Sequence, residues 1–91
     1  MTNEPTLRYP VVLEPLASNW SGWVPDIPGC VATAQTQSAL TEELRDAIAF
    51  HLDGLAEDGI EPPPSFREPI TGLSQRDVVT WVEVPLPHAM I

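Results

Sequence analysis

The sequence predicts an α+β fold in which four strands and one helix follow one another in the order β-β-β-α-β. Three patterns predict it: apolar residues alternate through residues 7–14, recur at helical spacing through residues 38–58, and return as β-branched residues at 77–84. A chain of 91 residues is long enough for one domain and no more. We therefore expect residues 1–91 to form a single domain.

The first three strands are short and are separated by turns. They are predicted at about residues 7–14, 20–25 and 30–35. In the first strand, Pro10 lacks an N–H, which indicates an edge position, a bulge or a point where that N–H would face no neighbour. Two prolines and a glycine in residues 25–29 force a tight loop after the second strand. Short strands with brief loops favour an antiparallel meander.

The helix, at about residues 38–58, has the clearest pattern of any element. Either Thr36 or Ser38 can cap its start, and Gly59 is a natural stop. A proline-rich connection at residues 60–76 leads to the fourth strand at about 77–84. The helix presents one apolar stripe to the sheet, made of Leu40, Leu44, Ala47, Ile48, Leu52 and Leu55.

The order of the elements also predicts the topology of the sheet. A right-handed crossover through the helix would lay the last strand beside the first and parallel to it. This gives a four-stranded mixed sheet in the order 3-2-1-4, with one helix on one face. The second face would then be bare, and it would carry apolar residues such as Val12, Trp23 and Trp81. A bare face of this kind is a candidate surface for self-association or for a partner.

The charge of the chain is strongly negative. Thirteen acidic residues against four basic ones give a net charge of −9. Such a surface repels phosphate backbones, so direct binding to nucleic acid is not expected. The same field either steers a basic protein partner toward the chain or only keeps it in solution, and both alternatives stay open.

The single cysteine, the lack of a signal peptide and the lack of a long apolar run predict a cytoplasmic protein. Cys30 leaves no possibility of an internal disulfide. No basic-then-apolar segment opens the chain. No apolar run approaches the length of about 18 residues that a membrane span needs. We expect no contact with a membrane.

Catalysis is the less favoured interpretation of the polar residues. A two-metal nuclease would need several converging carboxylates, and the acids that the strands could supply are Glu14, Asp26, Asp77 and Glu83. A solvated acidic surface explains them more simply. Cys30 and His51 are a weak candidate pair for nucleophilic catalysis, because no third group is apparent to orient them. We therefore expect no enzyme activity, no cofactor and no metal.

Several motifs taken together resemble the HicB-like antitoxin family. They are the Tyr-Pro-Val-Val strand from Tyr9, the Pro-Asp-Ile-Pro-Gly-Cys run at residues 25–30, and the acidic Gly-Pro stretch at residues 57–64. The resemblance covers about residues 7–66. It implies a partial RNase H-like fold. It also implies a type II toxin–antitoxin role, in which the antitoxin neutralises a small basic HicA-type toxin, an mRNA interferase, by protein–protein binding. Homodimers or higher homo-oligomers are also implied.

The chain departs from the family pattern at its C-terminal end. Many members carry a C-terminal DNA-binding domain, and residues 85–91 are too few for one. Operator binding is therefore not expected. The alternative function is a stand-alone homo-oligomeric HicB-like domain with a structural or regulatory role and no toxin partner.

Five residues are the candidate partner contacts. A rigid proline loop with an exposed Asp26 would meet a basic partner at low ordering cost, although the loop equally serves as a simple turn. Aromatic residues dominate binding hot spots, but one or two of the tryptophans are expected in the core. Phe50 lies off the apolar stripe of the helix. The candidates are Trp23, Asp26, Ile27, Phe50 and Trp81.

Overall fold

A computed structural model describes residues 5–65 and 69–87 of the chain. Residues 88–91 at the C-terminal end and part of the predicted connection, residues 66–68, lie outside the described residues. The α+β class and the β-β-β-α-β order are confirmed. The elements are β1 at Thr6–Pro15, β2 at Trp20–Trp23, β3 at Val31–Ala34, α1 at Gln37–Glu57 and β4 at Val78–Pro85.

The sheet has the predicted strand order β3-β2-β1-β4, but every neighbouring pair in it is antiparallel. The prediction of a mixed sheet with a parallel last strand is therefore wrong. β4 begins with Val78 opposite Leu13, near the end of β1. The connection passes the first half of β1, where the Tyr9 hydroxyl donates to the Pro63 carbonyl at 2.7 Å. The connection then runs along the sheet toward the end of β1 before β4 starts. β4 therefore runs antiparallel to β1 and not parallel to it.

Pro10 lies at a point of β1 where β2 has already ended. β2 finishes at Trp23, opposite Val12, whereas Pro10 has a strand partner only in β4. Two residues before it, the Arg8 carbonyl accepts from the Ser65 hydroxyl of the connection. The N–H and carbonyl of a strand residue point to the same side, and this direction repeats every second residue. The missing N–H of Pro10 would therefore point toward the connection, as the Arg8 carbonyl does, and not toward a strand. Of the three predicted explanations for this proline, the structure supports the last.

The core lies between α1 and one face of the sheet. Leu40, Leu44, Ile48 and Leu52 are the fully buried residues of the predicted stripe. Thr36 caps the helix, since its hydroxyl accepts from the Ala39 N–H at 3.1 Å. Sheet residues that pack against the helix stripe are Tyr9, Val11, Leu13, Val82 and Val84.

The second face of the sheet is not bare at its centre. Val12 points away from α1, yet its side chain is fully buried. Its same-face neighbours in the register are Trp23 and Val79. Residues 69–71 of the connection line a cavity together with Trp23 and Val31, which places the connection beside this face. The prediction of an uncovered second face is therefore wrong near β2, because the connection lies against that side of the sheet.

Candidate partner-binding surface

The proline loop between β2 and β3 consists of two consecutive tight turns. The Ile27 N–H donates to the Val24 carbonyl at 3.0 Å, and the Cys30 N–H donates to the Ile27 carbonyl at 3.1 Å. Each turn has a proline at its second position, where a fixed φ is favourable. Gly29, with φ of 86°, takes the third position of the second turn, which requires a positive φ. The Val24 N–H closes the loop by donating to the Cys30 carbonyl.

These turns bury two of the predicted contact residues. Asp26 is only 7% exposed and Ile27 is 1% exposed. The expectation of an exposed Asp26 is therefore wrong, because the double turn folds the loop inward rather than out into solvent. Ile27 belongs to the core cluster and its side chain offers a partner no surface. The charge of Asp26 is instead felt inside the protein, by Tyr9. Burial of Tyr9 raises the pKa of its phenol above the ordinary value, and the negative charge of Asp26 raises it further.

Trp23 and Trp81 lie on the same face of the sheet, away from the helix. Trp81 is opposite Pro10 and is 39% exposed. The Arg8 guanidinium lies 4.9 Å from the centre of the Trp81 ring, and Arg8 also pairs with Glu83 at 3.7 Å. Trp81 is thus a partly exposed aromatic side chain on the edge strand β4, and the Arg8 charge beside it is already paired with Glu83.

Phe50 lies on the other side of the molecule and is 82% exposed. It borders a groove of about 810 Å³ between one flank of α1 and residues 28–31, which we call the helix groove. Glu43, Asp46 and Asp58 also line the helix groove, as does His51, and among the described residues no arginine lines it. Val31, 66% exposed, stands on its opposite wall.

Sequence reasoning found Phe50 but missed the acids around it and Val31. Glu43 and Asp46 are ordinary residues for the first half of a helix, so nothing in the pattern singles them out. Val31 lies in a predicted strand, but its exposure depends on β3 being an edge strand, in which Val31 pairs with Trp23 on the face away from α1. Trp23, which lines the neighbouring cavity of about 550 Å³, is separated from Phe50 by residues 28–31. The five predicted contact residues therefore do not form one site.

The catalytic alternatives gain no support from the geometry. Burial raises the pKa of Cys30, which keeps its sulfur as an unreactive thiol. Within residues 5–65 and 69–87, no group of three or more His, Cys, Asp or Glu side chains is placed to hold a metal ion. In the same part of the chain no helix has the length and apolar character needed to cross a membrane.

Comparisons with known proteins agree with this architecture. The family model described as the HicB-like antitoxin of bacterial toxin–antitoxin systems matches residues 9–86. An uncharacterised 14.9 kDa protein from the rep-hol intergenic region of Haemophilus phage HP1 is 35% identical over 87 residues. The match covers 92% of this chain but 65% of the phage protein, so the chain spans just under two thirds of that relative.

Two solved structures share the fold. The N-terminal domain of the Burkholderia pseudomallei antitoxin HicB matches with a TM-score of 0.61 and 25% identity, over 86% of this chain and 95% of that domain. A chain of the HicA3 and HicB3 toxin–antitoxin complex matches with a TM-score of 0.61 and 22% identity, over 86% of this chain and 98% of that one. Both matches cover most of this chain and nearly all of the matched chain.

Proposed function

Because this chain belongs to the HicB-like antitoxin family, we propose that it neutralises a small basic HicA-type toxin, an mRNA interferase, by covering it in a protein–protein complex. The observation that carries the proposal is the acid-lined helix groove with Phe50 at its border, in a chain of net charge −9. A negative surface speeds the encounter with a basic protein, and exposed apolar groups hold the complex once it has formed. The similarity to a chain of a HicA–HicB complex supports the same partner.

The proposed mechanism is occlusion rather than catalysis. The buried Cys30 thiol is not an activated nucleophile, as its raised pKa indicates. The acidic surface disfavours direct binding to RNA or DNA, so the chain would act on the toxin and not on its substrate. Since an interferase meets mRNA in the cytoplasm, we propose that the chain acts there as well.

Co-expression tests this function. A small basic protein encoded beside this chain's gene is the candidate toxin to look for; it is induced alone and together with the chain, and growth and mRNA integrity are measured. We expect arrest and mRNA cleavage with the toxin alone, rescue with the chain, and copurification of the two at a fixed ratio. Rescue failure without copurification would contradict the proposal. An empty vector and an unrelated acidic protein of similar size serve as controls.

Self-association is the second candidate, and the β4 side of the sheet favours it. Val79, 40% exposed, and Trp81 stand on the second face of this edge strand. The outer backbone groups of an edge strand are available to pair with another strand, including one from a second copy. Multi-angle light scattering distinguishes a homodimer from a monomer. A monomer at all accessible concentrations would contradict a stand-alone homo-oligomeric role.

A further inference from the structure

We infer that the helix groove is the surface that receives lysine and arginine side chains of the toxin, with Glu43 and Asp46 pairing with their charges and Phe50 packing against their aliphatic stems. This inference rests on the proposed function, and it adds where on the chain the partner binds. Neither the loop around Asp26 nor the Trp81 face serves this role.

The first reason is the imbalance of charge in the groove. Glu43, Asp46 and Asp58 are all exposed and line it together with His51, and no arginine within residues 5–65 and 69–87 lines it. The arginines with ion pairs in the described part of the chain use them elsewhere, Arg8 with Glu83 and Arg45 with Glu42. The described lining of the groove therefore holds three carboxylates beside one histidine, which is an excess of acidic groups. A cationic partner supplies the matching potential.

The second reason is the apolar surface between these acids. Phe50 and Val31 are the two most exposed large apolar side chains in the described residues, and both line the groove. Lysine and arginine carry long aliphatic stems that cover apolar surface while the charged ends reach carboxylates. An aromatic ring also attracts a cation placed over its face. A single basic side chain in the groove would satisfy both features.

The alternatives fit the groove less well. A second copy would bring another highly acidic surface against the same carboxylates, and like charges placed together oppose association. The Trp81 face already holds a cation, because Arg8 lies over the ring and pairs with Glu83. The carboxylate beside Trp81 is thus already paired, whereas the three carboxylates of the groove have no arginine beside them in the described lining.

The test compares charge reversals at two sites of equal type. Glu43→Lys lies in the groove, whereas Glu14→Lys lies on β1 on the second face of the sheet, and both residues are exposed. Each substitution changes the net charge by the same amount, so the two variants share any loss of long-range steering. The probe is the purified toxin identified by the co-expression test, and the dissociation constant is measured by titration calorimetry at low and high salt.

We expect Glu43→Lys to weaken binding by about tenfold or more at low salt, as truncation of an interface hot spot does. The control Glu14→Lys should stay within about twofold of the wild type, because charges outside an interface contribute little to affinity. Phe50→Ala should weaken binding with little dependence on salt, and Leu16→Ala, at another exposed apolar residue, should not. Circular dichroism melting curves establish that each variant is folded.

Three outcomes would overturn the inference, and they differ in what else they overturn. If the wild type binds the toxin but Glu43→Lys and Glu14→Lys change the dissociation constant equally, the contact lies elsewhere and the proposed function stands. A wild type that does not bind the toxin would remove both. If Phe50→Ala converts a homodimer into a monomer and leaves toxin binding unchanged, the groove is a contact between copies.

Discussion

Gly22 lies where leucine side chains of α1 pack directly against the sheet. A Cβ at this position would meet Leu44 Cδ1 at 2.9 Å, the Val12 carbonyl oxygen at 3.0 Å and Leu40 Cδ2 at 3.1 Å. One of these neighbours is backbone of the central strand, which has little room to move. The absence of a side chain at Gly22 is thus a condition for the packing of α1 on β2.

We therefore expect Gly22→Ala to lower the free energy of unfolding by about 1–3 kcal/mol, the usual cost of overpacking. Gly54→Ala is the matched control. It lies in α1 with nothing within 4 Å of the added Cβ, and alanine favours a helix by up to about 1 kcal/mol over glycine. Urea denaturation measures both. A Gly22→Ala protein as stable as the wild type would contradict this description of the packing.

Tyr9 links the core to the connection that precedes β4. Its hydroxyl donates to the Pro63 carbonyl, and its pKa is raised by burial and, secondly, by the charge of Asp26. The folded state therefore holds the phenol proton to a higher pH than the unfolded state does. The stabilisation is complete below the unfolded pKa of about 10 and is lost as pH rises through the folded value.

We expect the free energy of unfolding to fall as pH rises beyond about 10, and Tyr9→Phe to reduce that fall. At neutral pH the same substitution should cost about 1 kcal/mol, because it removes the hydrogen bond to Pro63. Denaturation followed at several alkaline pH values measures both effects. Cys30→Ala is a necessary control, since burial also raises the pKa of Cys30 and its loss of stabilisation has the same sign. An unchanged alkaline profile in Tyr9→Phe would contradict the role given to this phenol.

Asp26 and Ile27 show where residue-level prediction from sequence stops. The prolines and glycine of the loop predicted a tight turn, and the structure has two of them. Whether a turn residue points into the protein or out of it depends on the path of the whole loop and not on its residue types. The exposure of Phe50 was easier to predict, because a helical stripe identifies the residues that lie off it.

At the level of the elements, α1 depends on a single side-chain cap. The Thr36 hydroxyl accepts the Ala39 N–H, one of the amide groups that has no partner within the helix. We expect Thr36→Ala to cost about 1 kcal/mol of stability. Thr36→Ser keeps the oxygen and should cost less, so the difference between the two variants isolates the hydrogen bond. Thermal unfolding provides the measurement, and equal losses in both variants would argue against capping.

Element order was predictable from sequence, but the direction of the last strand was not. The alternation in β1 and the stripe in α1 are local patterns, and each one identifies its element without reference to the others. The direction of β4 depends on how far the connection travels before the strand begins. That path is fixed by contacts such as Tyr9 with Pro63, which join residues far apart in sequence. A long, proline-rich segment carries no periodic signal that would predict them.

At the level of the whole molecule, negative charge works against the compact state. The net charge is −9, and the ion pairs found in the described residues are Arg8 with Glu83 and Arg45 with Glu42. Like charges repel more strongly in a folded chain than in an expanded one. The free chain bears this cost in full, and a bound cationic partner would relieve part of it.

We expect sodium chloride to raise the melting temperature between low salt and about 1 M, where the Debye length falls to about 3 Å. A double variant, Glu14→Lys with Glu61→Lys, is the control. Each reversal adds two charge units, so the net charge changes from −9 by four units, and the response to salt should shrink. Differential scanning calorimetry across a salt series measures the response. A melting temperature that does not change or decreases would show that repulsion is not a significant cost.

The pairing of β1 with β4 brings two distant parts of the sequence side by side. Thr6 lies opposite Pro85, and the Leu86 N–H donates to the Pro5 carbonyl at 3.0 Å. A short linker between these positions would allow circular permutation, with new termini opened in the exposed turn around Gly72. In such a rearranged chain β4 would precede β1 and form a hairpin with it, so the strand order of the sheet would be kept. The long connection between α1 and β4 would no longer be continuous, because the new termini lie within it.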